Sequence, residues 1–152
     1  MPGIIQTMDA PLFSIISLLT ELGVTASVFY IIYRGYYEGV FMRPLAYLVL
    51  AYEIIFNISY MSARLFGHVL SGEHAREAHA PYEVAVAIFH GTFSLVMFIA
   101  LVIFFIFALR VYSRGENFFR VHTTLTVAFV AAWTVSIFSG VLLFFLLYGH
   151  PH

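Results

Sequence analysis

Apolar residues occur along this chain in four long runs, separated by short segments that contain charged residues, glycine or proline. A helix that crosses the hydrocarbon core of a bilayer needs about 20 mostly apolar residues. The four runs reach that length, and they predict transmembrane helices at about residues 11–33, 44–70, 81–109 and 118–148. The first three begin at a proline, which suits the first turn of a helix because its N–H needs no intrahelical partner.

The composition agrees with a membrane protein and excludes several other classes. The chain is 62% hydrophobic and only 10% charged, whereas a soluble domain carries about a quarter charged residues. The absence of cysteine excludes disulfides, a zinc–thiolate site and a cysteine nucleophile. All the basic residues are arginines, scattered along the chain and balanced by acidic residues. We therefore expect a lipid bilayer as the environment and no nucleic acid as a partner.

The arginines also predict how the chain is oriented. The first and third connecting segments carry five of them, namely Arg34, Arg43, Arg110, Arg114 and Arg120. The second connecting segment carries only Arg76, among glutamates and histidines. The positive-inside rule then places the first and third segments in the cytoplasm and both termini outside. With no internal repeat or linker, the sequence predicts one all-α domain, an integral membrane antiparallel four-helix bundle with both termini outside.

Polar residues recur at helical spacing within each run and predict one inward-facing stripe per helix. The stripe of the second run consists of Glu53, Asn57, Tyr60, Arg64 and His68. The stripes of the other three runs are Ser14, Ser17, Glu21 and Thr25; Glu83, His90, Ser94 and Met97; and His122, Thr126, Phe129, Trp133, Ser136 and Gly140. Ionisable side chains at membrane depth usually face the protein interior, so we expect these stripes to line the bundle.

Four of these side chains are predicted to meet in the outer half of the membrane. At a rise of about 1.5 Å per residue, Glu21 and His90 each lie about 14 Å below the outer ends of their helices. Arg64 and Tyr60 lie at about 10–15 Å. One interpretation is a buried Glu21–Arg64 ion pair with hydrogen-bonded neighbours. Another is a metal or haem site on His90, and a third is a proton or substrate path through Glu21, Glu53 and His90.

Histidines provide the candidate ligands. Those predicted on the outer side are His68, His74, His79, His90, His150 and His152, whereas His122 is predicted on the inner side. Imidazoles without thiolates suit copper, zinc or haem iron. The candidate metal ligands are His90, His68 and Glu21. Straight helices would separate His68 from His90 by about 10 Å in height, so a bis-histidine haem would require a bend. Trp133 is interpreted as core packing or as an aromatic wall beside a cofactor.

The second half of the chain also carries a set of short motifs. They are Tyr82 with His90 eight residues later, the basic segment from Arg114 to Arg120, His122, the segment from Trp133 to Gly140, and the closing Leu146-Leu147-Tyr148. Together with Ser59-Tyr60, they resemble the CtaM-like family of four-helix prokaryotic membrane proteins linked to haem–copper oxidase maturation. The chain departs from the family pattern at Met42-Arg43-Pro44, where the family has His-Arg, and at Arg64, where a histidine is usual.

The resemblance implies a multi-pass protein of the prokaryotic cell (inner) membrane that assists assembly of a respiratory haem–copper oxidase. Such a protein would hold haem b or copper through outer-side and intramembrane histidines. The candidate cofactor-binding residues are His90, His68, Tyr60, Arg64, Trp133 and His122. Expected partners are a larger respiratory membrane complex or further copies of the chain. The alternatives are a b-type haem electron-transfer or anchor subunit and a purely structural subunit; no covalent enzyme chemistry is predicted.

Overall fold

The computed structural model describes residues 12–70 and 81–149, without the side chains of residues 13 and 60–70. Over this part of the chain the fold is entirely helical. The helices are α1 (Leu12–Tyr33), which continues as a π-helical turn (Arg34–Glu38), α2 (Arg43–Leu70), α3 (Pro81–Tyr112), α4 (Phe118–Val121) and α5 (Thr123–Tyr148). The prediction of an all-α protein is therefore confirmed.

Among the described residues, three helical segments are long and apolar enough to cross a membrane. They are Ser14–Glu38, Pro81–Tyr112 and Thr123–Tyr148, and they correspond to the first, third and fourth predicted spans. The second predicted span, 44–70, forms helix α2, whose side chains are described only as far as residue 59. The chain is thus a helical, multi-pass membrane protein by the length and composition of its helices.

The four long helices form a closed antiparallel ring. Helix α1 packs against α2 and α5, and α3 packs against the same two neighbours. At one end of the ring, the Ser14 and Tyr148 hydroxyls are 3.2 Å apart, which joins the start of α1 to the end of α5. We call this the open end. At the other end, the closed end, the π-helical turn contacts α4.

The first α-helix ends at Tyr33, as the sequence predicts, but the chain continues as the π-helical turn, which contacts from other helices hold in place. The backbone widens into this turn, and the turn ends at Gly39, whose φ of 70° is left-handed. The Gly35 carbonyl accepts hydrogen bonds from the Tyr112 hydroxyl at 2.9 Å and from Asn117 Nδ2 at 2.7 Å. These bonds satisfy a carbonyl at the helix end from outside the helix.

The fourth predicted span is broken near its start. Helix α4 is capped by Asn117, whose side-chain oxygen accepts the Arg120 N–H at 3.2 Å. The backbone leaves the helical conformation at His122, with φ −110° and ψ 51°, and α5 begins at Thr123. The short α4 packs against the π-helical turn as well as against α3 and α5. The break therefore lets the chain turn over the closed end before it enters the bundle.

Aromatic side chains fill the closed end of the bundle. Phe104 stacks on Phe129 with ring centroids 4.3 Å apart, and both rings are buried. The remaining buried rings there are Phe105, Phe118 and Phe119. Offset and edge-on contacts of this kind add to the van der Waals packing on which helix association in lipid depends. The closed end is consequently the densely packed half of the molecule.

Candidate functional site

A cavity of about 760 Å³ lies between α1, α2, α3 and α5. Its lining includes the carboxyl groups of Glu21, Glu53 and Glu83, and also Asn57, His90 and Trp133. Each of the four helices contributes polar groups to it. A cavity of this size that contains several ionisable side chains among apolar helices is the default candidate for a binding site.

The helical stripes predicted from the sequence do face this cavity and the core next to it. All four stripe residues of α3, from Glu83 to Met97, line the cavity, and so do Ser17 and Glu21 of α1. On α5, the stripe positions Thr126, Phe129, Trp133 and Ser136 are buried. Spacing alone was sufficient to identify the inward face of these helices because each helix is regular across it.

His90 is held in one orientation by α5. Ser139 Oγ lies 2.7 Å from the Ser136 carbonyl, to which its hydroxyl can donate, and 2.9 Å from His90 Nδ1. The neutral imidazole that carries its proton on Nδ1 completes this chain of hydrogen bonds. The ring also lies against Gly140, where a Cβ atom would come within 2.7 Å of His90 Cε1. With its proton on Nδ1, the imidazole keeps the lone pair of Nε2 for a ligand.

Two carboxyl groups on different helices interact across the cavity. Glu53 Oε2 accepts a hydrogen bond from Asn57 Nδ2 at 3.1 Å, and the same amide group donates to the Glu53 backbone carbonyl at 2.8 Å. Glu21 on α1 is close enough to Glu53 for an electrostatic interaction between the two carboxyl groups. Two carboxyl groups brought together away from bulk water favour protonation of one of them or a cation between them.

Trp133 forms the inner limit of the cavity and is also part of the core. Only 5% of its surface is exposed, and its ring stacks on Phe129 at a centroid distance of 5.7 Å. Its Nε1–H donates to Thr25 Oγ1 at 3.2 Å, a bond that ties α5 to α1. The core-packing interpretation is therefore confirmed; the indole also walls the cavity, and a cofactor beside it stays a prediction.

Replacing Trp133 by phenylalanine should cost about 0.5–1.5 kcal/mol of unfolding free energy, the usual net value of one hydrogen bond. The aromatic packing is largely kept, whereas the bond to Thr25 is lost. Thermal or denaturant unfolding in detergent measures the loss. The Thr25→Val change should add little in the Trp133→Phe background, and fully additive effects would show that the two residues are not coupled.

His122 does not belong to the cavity, contrary to its place in the predicted cofactor set. It is exposed at the closed end, where its ring centroid lies 5.0 Å from that of Phe118. The helical break at His122 separates it from the stripe that begins at Thr126, so its predicted helical phase does not apply.

Several predicted site residues lie outside the described part of the chain. Tyr60, Arg64 and His68 belong to α2 by their backbone, but their side chains are not described. The predicted Glu21–Arg64 ion pair and the His68 ligand are in this group. The other outer-side histidines, His74, His79, His150 and His152, also lie outside the described residues.

The contact between His90 and Ser139 is a feature that sequence analysis missed. Ser136, Ser139 and Gly140 lie on one face of α5, and small residues of this kind allow helices to approach closely. The available signal was that His90 on the facing helix α3 needs a hydrogen-bond partner, which a serine on α5 can provide. Within the described residues, no group of three or more His, Cys, Asp or Glu side chains is placed to hold a metal ion.

The motifs that resemble the CtaM-like family lie mainly on α3 and α5. These two helices form the most extensive helix contact in the structure, and His90 and Trp133 both belong to them. The site is therefore interpreted from its geometry, because no family model, no curated protein and no solved structure matches this chain.

Proposed function

We propose that the chain is an accessory or assembly protein of a respiratory membrane complex, which holds copper or haem at His90 inside the bundle. The observation that carries the proposal is the imidazole itself, oriented by Ser139 and lining a cavity of about 760 Å³. Neutral imidazole is the commonest protein ligand for metals and a usual ligand of haem iron. A bound copper ion or haem would supply a one-electron redox centre.

The residues around His90 fit a weakly held, exchangeable group. Glu21 lines the same cavity and is the proposed second metal ligand, with Trp133 as the wall of the site. His68 on the second half of α2 is the proposed third metal ligand, and Tyr60 and Arg64 on the same helix are proposed cofactor-binding residues. A site with few ligands releases its cargo readily, which suits delivery to a partner better than permanent storage.

The proposed architecture is a four-span bundle in which α2 is the fourth transmembrane helix. Its support is that α2 completes the ring by packing against α1 and α3. From the arginine distribution, we propose that both termini lie outside a prokaryotic inner membrane. The proposed partner is a larger respiratory complex of the haem–copper oxidase branch or a further copy of the chain.

Changing His90 to alanine should remove the bound cofactor. The full chain would be purified in mild detergent, and its absorption spectrum and metal content would be compared with those of the variant. His122→Ala is the matched control because it removes an exposed histidine at the opposite end of the molecule. We expect cofactor content to fall to background in His90→Ala and to stay at the wild-type level in the control. Equal cofactor content in both variants would refute the assignment of His90.

A purely structural role is the second candidate, because His90 also connects two helices. Its hydrogen bond to Ser139 and its contact with Gly140 join α3 to α5. In that case no cofactor copurifies, and His90→Ala lowers stability alone. A Soret band in the wild-type protein would favour the alternative b-haem electron-transfer or anchor subunit, whereas copper without a Soret band would favour the assembly factor.

A further inference from the structure

Among the described residues, the cavity reaches from the open end into the middle of the bundle. Its lining begins at Glu83 in the first turn of α3 and at Leu147 near the end of α5, both at the open end. It ends at Met97 and Trp133, which are each only 5% exposed. From Glu83 to Met97 the helix rises by about 21 Å, fourteen steps of about 1.5 Å. This is more than half of the hydrocarbon thickness of about 30 Å.

Below Met97 and Trp133 the bundle is closed by packed side chains. Leu101, Phe105, Ala108 and Phe119 have no exposed surface. These residues belong to α3 and α4, and they occupy the level between the cavity and the closed end. The described residues therefore form a polar cavity in one half of the bundle and an apolar, packed barrier in the other.

We propose that this cavity is a blind, water-filled vestibule that receives a hydrated cation from one face of the membrane only. The inference rests on the proposed function. It adds that the ligand is a hydrated cation and that this cation enters from one face of the membrane. A polar cavity with room for many waters is hydrated, whereas apolar cavities stay dry. Because the packed barrier lies beneath Trp133, no path continues to the closed end. The vestibule can be loaded and emptied through the open end alone.

The charge of the lining determines which ligands enter. Glu21 and Glu53 contribute carboxyl groups from two helices. His90 adds the lone pair of Nε2, so hydrogen-bond acceptors predominate around the site. Burial favours the neutral form of such carboxyl groups, so each ionises when a cation binds beside it, and a cleft lined in this way favours cations over anions. A hydrated metal cation therefore matches this lining better than haem, whose propionates are negative.

The chain contains no cysteine, so a single introduced cysteine is the only thiol that a reagent can modify, and its modification shows that the reagent reaches that position. Ser94→Cys places a thiol in the vestibule, and Val96→Cys places one two residues further along the same helix, at a side chain that is 54% exposed on the lipid-facing surface. Ser113→Cys marks the closed end. Each full-length variant would be treated with membrane-impermeant methanethiosulfonates in sealed right-side-out and inverted membrane vesicles. These reagents modify thiolates in water.

We expect Ser94→Cys to be modified from one side only, the side opposite to the one from which Ser113→Cys reacts. Val96→Cys should stay unmodified in both vesicle types, because its thiol faces lipid. If Ser94→Cys resists modification from both sides, the cavity holds no accessible water and the inference is wrong. If it reacts from both sides, the barrier at Trp133 does not close the bundle, and the inference is equally overturned.

The charge preference is tested with a cationic and an anionic methanethiosulfonate of similar size. At Ser94→Cys, the ratio of cationic to anionic rates should fall about tenfold or more when Glu21→Gln and Glu53→Gln are added, since focusing by a charged cleft has at least that magnitude. An unchanged ratio, or faster reaction of the anionic reagent, would refute selection of cations. Labelling needs no bound cofactor, so these results are independent of the His90→Ala spectra that test the proposed function.

Discussion

Replacing Phe119 by alanine is expected to lower the free energy of unfolding by about 3–5 kcal/mol, the usual cost of removing a buried phenylalanine. The Phe119 ring has no exposed surface. It lies within 6.0 Å, between ring centroids, of Phe41, Phe104 and Tyr112, and it also lies against Gly35. Helices in lipid associate largely through such packing. The cavity left by the alanine would remove these van der Waals contacts, and no other interaction would replace them.

The matched control removes the same side chain from the lipid-facing surface. Phe138 is 70% exposed, so Phe138→Ala should change stability by no more than about 0.5 kcal/mol. Reversible unfolding in mixed micelles, followed by circular dichroism, measures both variants. Equal losses in the two variants would show that the aromatic contacts at the closed end do not hold the bundle together.

Changing Gly140 to alanine is expected to displace the His90 ring without removing the imidazole itself. The added Cβ would lie 2.7 Å from His90 Cε1, closer than real Cβ contacts allow. The ring must move, and the hydrogen bond between Nδ1 and Ser139 Oγ at 2.9 Å is then strained or lost. Loss of such an orienting contact typically weakens metal binding about 10–100-fold. Overpacking should also cost about 1–3 kcal/mol of stability.

Cofactor content and unfolding free energy should both be measured for Gly140→Ala. Gly23→Ala is the control, because a Cβ at Gly23 meets no atom within 4 Å. An added methyl in open space should leave both quantities near the wild-type values or raise stability slightly. Normal cofactor content in Gly140→Ala would mean that the cofactor does not depend on the position of His90.

Much of the fold and part of the site could be predicted from the sequence because both follow from regular helices in an apolar setting. The runs of apolar residues identified the helices, and the three-to-four-residue spacing identified the faces that bear Glu21, His90 and Trp133. This succeeds because a charged or polar side chain has a strong reason to avoid lipid, and because helical geometry then fixes its neighbours on the same face.

The errors occur where tertiary contacts decide the backbone. The α-helix ends at Tyr33 as predicted, but the π-helical turn after it was not predicted, because Tyr112 and Asn117 bind the Gly35 carbonyl from distant positions in the sequence. His122 was given the helical phase of α5, although the chain restarts its helix just after it. The hydroxyl of Ser139 is a partner of His90 only because α3 and α5 pack in a particular register. The spacing of residues along one helix does not indicate which residues of other helices will contact it.

Trp133 is the chain's only tryptophan, and it lies at the boundary between the polar cavity and the packed aromatic half. Its indole therefore has contacts at this boundary: it donates a hydrogen bond to Thr25 and stacks on Phe129. The native fluorescence of this protein comes from tyrosines and a single indole, so emission excited at long wavelength originates from the cavity floor alone. Quenching by a paramagnetic ion or a spectral shift on hydration would thus be recorded by the unlabelled, unmodified chain.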